Sequence, residues 1–146
     1  MRDYIIMTDS CCDLTPELAQ ELGLSVIPLS LEMSGATYHN YLDGREIGFH
    51  DFYERIRAGE TATTSAVSVG NFQEKMRAIL EQGKDILCIS FSSALSTTYQ
   101  SAVIAADELR EKYPERTIYV VDTLCASLGQ GLLAFHAAKK RDAGMP

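Results

Sequence analysis

The sequence predicts an α/β fold, a three-layer α/β/α arrangement around a mostly parallel sheet. Residues 85–91 form an almost unbroken apolar run, the pattern of a strand covered on both faces, and residues 117–121 repeat it in shorter form. Around these runs lie segments whose apolar residues recur every three or four positions, so strands and helices alternate as they do in layered parallel-sheet proteins. With 146 residues and 46% hydrophobic composition, the chain suffices for one domain with a core of its own.

Residues 4–8 favour a strand, and the small polar Thr8-Asp9-Ser10 that closes it suits a loop at a strand's carboxyl end. A helix of about two turns follows, in which Thr15 can cap, Pro16 takes the first helical position, Leu18, Ala19 and Leu22 supply the apolar stripe, and Gly23 accepts a left-handed terminus. Residues 26–33 read as a strand that Pro28 keeps from a fully central place, and Ser34-Gly35 turns the chain into a hairpin arm over 37–42. From 48 to 57, Phe49, Phe52, Tyr53 and Ile56 recur at helical spacing and are expected in the core, with Gly59 as the stop.

Residues 61–69 show no period and read as a loop, after which Ser68 caps a helix over about 70–82 that buries Phe72, Met76, Ile79 and Leu80. Beyond the strand at 85–91, hydroxyl-rich residues 92–98 lead into a helix whose apolar face is Ala102, Val103, Ala105, Ala106 and Leu109, ended by Pro114. Residues 117–121 are expected to form a second buried strand with Asp122 at its carboxyl end. A last helix then reaches roughly Arg141, where Lys139, Lys140 and Arg141 complement the helix dipole.

Thirteen Lys and Arg against 20 Asp and Glu give a formal charge of −7, so no bulk attraction to phosphate backbones exists and nucleic acid is not an expected partner. The apolar run near the N-terminus is too short for a signal peptide, and no stretch has the length of a membrane span, which predicts a cytoplasmic protein. The cysteines at 11, 12, 88 and 125 include an adjacent pair ill-suited to a disulfide and no C-x-x-C spacing, so reduced thiols and no metal site are expected.

Three polar loops carry the candidate chemistry: Thr8-Asp9-Ser10, Thr63-Thr64-Ser65 and the stretch at 92–98 that contains Ser93, Ser96 and Thr97. Parallel sheets bind ligands beyond the carboxyl ends of their strands, where hydroxyls and the N–H groups of a helix's first turn can hold an anionic oxygen. Capping and turn closure would use the same residues. Two other functions fit less well. A small-anion or phosphate site usually adds Lys or Arg, which the three loops lack, and a cysteine-dependent enzyme built on Cys11, Cys12 or Cys125 has no His at a diagnostic spacing. His39, His50 and His136 are scattered, and no H-E-x-x-H, G-x-S-x-G or Gly-Lys-Ser/Thr phosphate loop is present.

The segments IIMTDSCCDLTPELAQELGLSVIPLSL, TATTSAVSVGNF, SFSSALSTTYQSAVIAA and VVDTLCASLGQGLL resemble, in order and at similar spacing, the N-terminal motifs of the DegV family of fatty-acid-binding proteins. The string from Ser92 to Ala102 is the most specific, being similar to the family's S-S-x-L-S-G-T-Y-Q-S-A. The T-D-S-x-x-D-L at Thr8 to Leu14 is moderately specific. The resemblance implies a DegV-like N-terminal α/β domain over 1–146. Because family members are roughly twice as long, it also implies that the second lipid-binding domain, with its His and Arg head-group contacts, is absent or truncated here.

It further implies a non-enzymatic carrier of a long-chain fatty acid, whose carboxylate is held by Thr64, Ser65 and Ser96 beside Thr97, with Asp9, Ser10 and Ser93 in loops near the site. No cofactor is implied beyond the fatty acid as ligand. The implied partners are a fatty acid kinase that phosphorylates the carboxylate for phospholipid synthesis and, transiently, a membrane. Two positions depart from the family pattern: Ala66-Val67-Ser68-Val69 stands where Gln-Pro-Ser-Pro is common, and Thr97 replaces the glycine of L-S-G-T. Loss of the prolines predicts a less rigid loop, and a positive φ at 97 would strain a β-branched residue.

Overall fold

The computed structural model describes residues 3–146. In chain order the elements are β1 (Tyr4–Asp9), a 3-10 turn (Ser10–Cys12), α1 (Pro16–Glu21), β2 (Leu24–Ile27), β3 (Ser30–Met33), β4 (Ala36–His39), α2 (Phe49–Arg57), β5 (Ala62–Ser65), α3 (Val69–Leu80), β6 (Asp85–Ser90), α4 (Thr98–Lys112), β7 (Ile118–Asp122) and α5 (Leu128–Asp142). Strands β2, β1, β6 and β7 lie side by side in that order, all parallel, with Ile6 level with Leu24 on one side and Leu87 on the other.

Successive side chains of a strand point to opposite faces, and this alternation builds the three expected layers. Met7, Ile86, Cys88 and Ile118 pack on one face with Phe72, Met76 and Leu80 of α3 and Ala102, Ala106 and Leu109 of α4. Ile6 and Ile89 face the other way, onto Leu22 and onto Ala134 and Ala138 of α5. The expected helix ends are in place: Thr15 Oγ1 accepts the Leu18 N–H at 3.2 Å, Ser68 Oγ accepts the Asn71 N–H at 3.2 Å, and Gly23 has φ +57°. The basic last turn of α5 is also tied to α1, since Arg141 donates to the Leu22 carbonyl at 2.8 Å.

A second, three-stranded antiparallel sheet, β4-β3-β5, was not foreseen as a unit. Pro28 lies in the break between β2 and β3, where no ladder N–H is required, and Ser34-Gly35, both at positive φ, close the β3–β4 hairpin as a two-residue turn. The stretch expected to be a loop contains β5, whose residues Thr64 and Ser65 pair with Leu31 and Ser30. It has no apolar period because its side chains are mostly exposed, and backbone pairing with β3 defines it.

Two burial expectations are corrected. The aromatics of α2 are not core: Phe49 is 55% and Tyr53 57% exposed, and the helix buries no residue. Periodicity marked an apolar face without saying what lies against it, and here that face borders an open cleft. Strand β7 is buried on one face only, because it is the sheet's edge and Tyr119 and Val121 point to a side left uncovered. Among the described residues, no helix is long and apolar enough to cross a membrane.

Candidate functional site

The carboxyl ends of β1, β6 and β7 lie together, and their loops are tied by buried polar groups. Asp9, almost fully buried, accepts the N–H of Cys11 at 3.1 Å and that of Phe91 at 2.8 Å. Burial pushes its carboxyl above the usual range, an effect countered by the Phe91 N–H, the Gln130 side chain and the Cys11 N–H. Ser10 is equally buried, and its Oγ accepts the Leu29 N–H at 3.1 Å. At the end of β7, Asp122 Oδ1 accepts the N–H groups of Ser93 and Leu124, both at 3.1 Å, and the Ser93 hydroxyl is the main reason its carboxyl lies below the ordinary value, with these N–H groups adding to it.

The loop after β6 is folded on itself. The Ser92 carbonyl accepts the N–H groups of Leu95 and Ser96, both at 3.1 Å, and Ser92 Oγ accepts that of Ala94 at 3.2 Å. Ser96 Oγ in turn accepts the Thr98 N–H at 3.2 Å and lies 2.9 Å from Thr98 Oγ1. Either hydroxyl can donate in the second contact; when Thr98 does, Ser96 keeps its own hydroxyl proton for a ligand oxygen. Thr97 stands at the start of α4 with φ −78° and ψ 0°, and its side chain makes no capping hydrogen bond. A threonine therefore fits where a positive φ would have excluded it. In the other departing segment, Val67 is buried in the main core and Ser68 caps α3, so packing and a cap hold the loop where the family pattern has prolines.

Between these loops and the antiparallel sheet lies a cleft of about 820 Å³. Thr64, Ser65, Ser93, Ser96 and Thr97 all line it, so the two hydroxyl loops expected to act together do share one hollow. Its apolar wall comes from Leu29, Leu31, Ile47, Phe49, Phe52, Phe91 and Leu95. Asp9 and Ser10 do not border it; they lie behind its walls. The α2 aromatics were found in the sequence but assigned to the core, and an amphipathic helix this short beside glycines at 44, 48 and 59 was the available sign of a peripheral position. Leu29, Leu31 and Phe91 carried no sign that separated them from ordinary strand residues.

Among the described residues lining the cleft, Asp13 is the one charged side chain, and no Lys or Arg is present. Cys11 also borders the cleft, but burial, with Asp9 and Asp13 adding to it, pushes its thiol up to about 12, which disfavours the thiolate a nucleophile requires. All four cysteines are unpaired. No cluster of metal-ligating side chains occurs among the described residues. The arrangement suits a molecule with a small acidic head, met by neutral hydroxyls, and an apolar body.

The family model described as an uncharacterised protein of the DegV family matches residues 4–146. A DegV domain-containing protein of Clostridium perfringens is 39% identical over 144 residues, covering 99% of this chain and 49% of the relative. A solved structure reporting fatty acid binding of a DegV family protein from Thermus thermophilus superposes with a TM-score of 0.86 at 36% identity, over 100% of this chain and 49% of that one. A stearic acid-binding protein from Eubacterium ventriosum gives a TM-score of 0.88 at 29% identity, over 98% and 49%. The chain thus spans about half the length of the relatives it matches.

Proposed function

The chain belongs to the DegV family, and on that premise we propose that it holds a long-chain fatty acid by its carboxylate, between Thr64 and Ser65 on one wall of the cleft and Ser96 and Thr97 on the other. The observation that carries this reading is the convergence of those two hydroxyl pairs on one hollow whose remaining wall is apolar. Hydroxyl donors can share a single negative charge, and the first turn of α4 adds a favourable dipole. The acyl chain supplies the larger part of the affinity, at about 0.8 kcal/mol for each methylene buried. A phosphate ligand is disfavoured because no basic side chain among the described residues lines the cleft.

In this reading residues 1–146 act as the N-terminal half of a binding site that longer relatives complete with further residues. The protein is a carrier: it presents the carboxylate to a fatty acid kinase, which contributes the ATP chemistry. Loading and release involve transient contact with a membrane, a step that the exposed Phe49 and Tyr53 beside the cleft support.

Organic extraction of the purified protein followed by mass spectrometry should yield fatty acid. Ser96→Ala and Thr64→Val should each lower retention by about 0.5–3 kcal/mol, a factor of roughly 2 to 150 in Kd. Protein that carries no fatty acid and binds none on titration refutes the lipid reading. Loaded protein that never yields acyl phosphate with its cognate kinase and ATP refutes the kinase step alone.

A further inference from the structure

Asp9 and Ser10 were placed near the site by the sequence, yet both are about 1% exposed and neither borders the cleft. Their hydrogen bonds run in two different directions. The Asp9 carboxylate holds the Phe91 N–H at 2.8 Å, at the root of the loop that carries Ser93, Ser96 and Thr97. The Ser10 hydroxyl holds the Leu29 N–H at 3.1 Å, immediately before β3, and lies 3.4 Å from the Asn40 amide nitrogen immediately after β4. Strand β3 in turn fixes the opposite wall, because Ser30 is paired with Ser65 and Leu31 with Thr64.

The break at Pro28 explains why this second link exists. It separates Leu29 from the ladder of the parallel sheet, so the N–H of this half-buried residue takes its acceptor from the Ser10 side chain while its carbonyl accepts the Asn40 N–H at 2.7 Å. Two adjacent residues at the end of β1 therefore each grip one wall of the cleft, across two sheets that share no strand pairing.

We propose that Asp9 and Ser10 are positioning residues that set the separation between the Thr64-Ser65 wall and the Ser96-Thr97 wall. The functional consequence rests on the fatty-acid reading above; the geometric one does not. Removing either link leaves the hydroxyls present but lets one wall drift, and a head group bridged by both walls is sensitive to such drift.

The test uses the 146-residue protein, ¹⁵N-labelled, with Asp9→Asn and Ser10→Ala variants and palmitate as ligand. Asn keeps an acceptor for Cys11 but turns an amide N–H₂ toward the Phe91 N–H. Asp9→Asn should shift the amide resonances of residues 91–98 and leave Thr64 and Ser65 in place, and Ser10→Ala should do the reverse. Each should weaken palmitate binding by roughly five- to fiftyfold.

In double-mutant cycles the loss from Asp9→Asn should largely disappear on a Ser96→Ala background, and that from Ser10→Ala on a Thr64→Val background, which a merely destabilising change would not produce. Unchanged affinity, additive cycles, or resonance shifts confined to residues 8–12 would overturn the proposal. If the unaltered protein binds no palmitate, the fatty-acid reading fails, and the pattern of shifts alone decides the positioning role. If Asp9→Asn does not fold, Ser10→Ala decides it, since a wall that stays fixed without that hydroxyl overturns it.

Discussion

Gly131 sits in the first turns of α5 where the helix crosses the 3-10 turn after β1. A methyl group there would lie 2.5 Å from the Cys12 carbonyl oxygen and 2.9 Å from Leu14 Cδ2. The leucine can rotate away, but the carbonyl is backbone. Helix α5 would have to lift by roughly 0.5–1 Å, a gap that forfeits about a quarter to a half of the dispersion attraction across the contact it opens. Ala134 and Ala138, fully buried against Ile6 and Ile89, would lose contact first. Overpacking of this kind costs about 1–3 kcal/mol, and the upper half of that range applies because the obstructing atom cannot rotate. The better helix propensity of alanine offsets about 1 kcal/mol, leaving a net loss of about 1–2 kcal/mol for Gly131→Ala. Gly70→Ala is the matched control: it lies on the exposed side of α3, the nearest atom is Ser68 Oγ at 3.9 Å, and a gain of about 0.4–1 kcal/mol is expected. Urea denaturation followed by circular dichroism should move the two midpoints in opposite directions at unchanged slope. A Gly131→Ala protein as stable as the unaltered one would refute the close-contact argument.

Three further outcomes are expected. Phe72→Ala empties the largest fully buried position, between α3 and the sheet, and should cost about 3–5 kcal/mol in the same assay; a loss below 1 kcal/mol would mean the site collapses around the gap. Glu60 is held down to about 2, against an ordinary 4.5, by its hydrogen bonds from Arg55 and then Ser34. A depressed folded value means the contribution is complete above 4.5 and fades as pH falls toward about 2, so the melting temperatures of the unaltered protein and Glu60→Gln should differ at pH 7 and converge through that window. A gap that stays constant into acid would contradict this. Finally, Cys12 and Cys88 are buried, and Cys11 has a thiol pushed up to about 12, so Ellman's reagent at pH 8 should reach Cys12 and Cys88 only in denaturant and Cys11 slowly; rapid reaction of all four would show the core is open.

Local chemistry made much of the fold legible. Thr15, Pro16 and Ser68 announce helix starts because capping needs nothing beyond neighbouring residues, and β6 announces itself because burial on both faces leaves an almost unbroken apolar run. Features that depend on distant partners were hidden. Thr64 and Ser65 belong to a strand only because β3 lies beside them, and Tyr119 and Val121 are exposed only because no element covers the edge at β7. The hydroxyls that line the cleft were found because a motif spells them out, and their shared hollow followed from the sheet. Asp9 and Ser10 were read as loop residues near the site with no sign of their burial, since a side chain that accepts backbone N–H groups from behind a wall has the same letter as one that faces a ligand.

The lack of basic side chains among the described residues of the cleft bears on how cargo would be exchanged. Hydroxyl dipoles offer mobile ions little to shield, and Asp13, the one charge among the described residues lining the cleft, only repels an acyl anion. Raising ionic strength from dilute buffer to cellular levels should therefore not loosen the cleft's hold. Release would then depend on a competing oily phase, such as a bilayer or a detergent micelle, into which the hydrocarbon can partition.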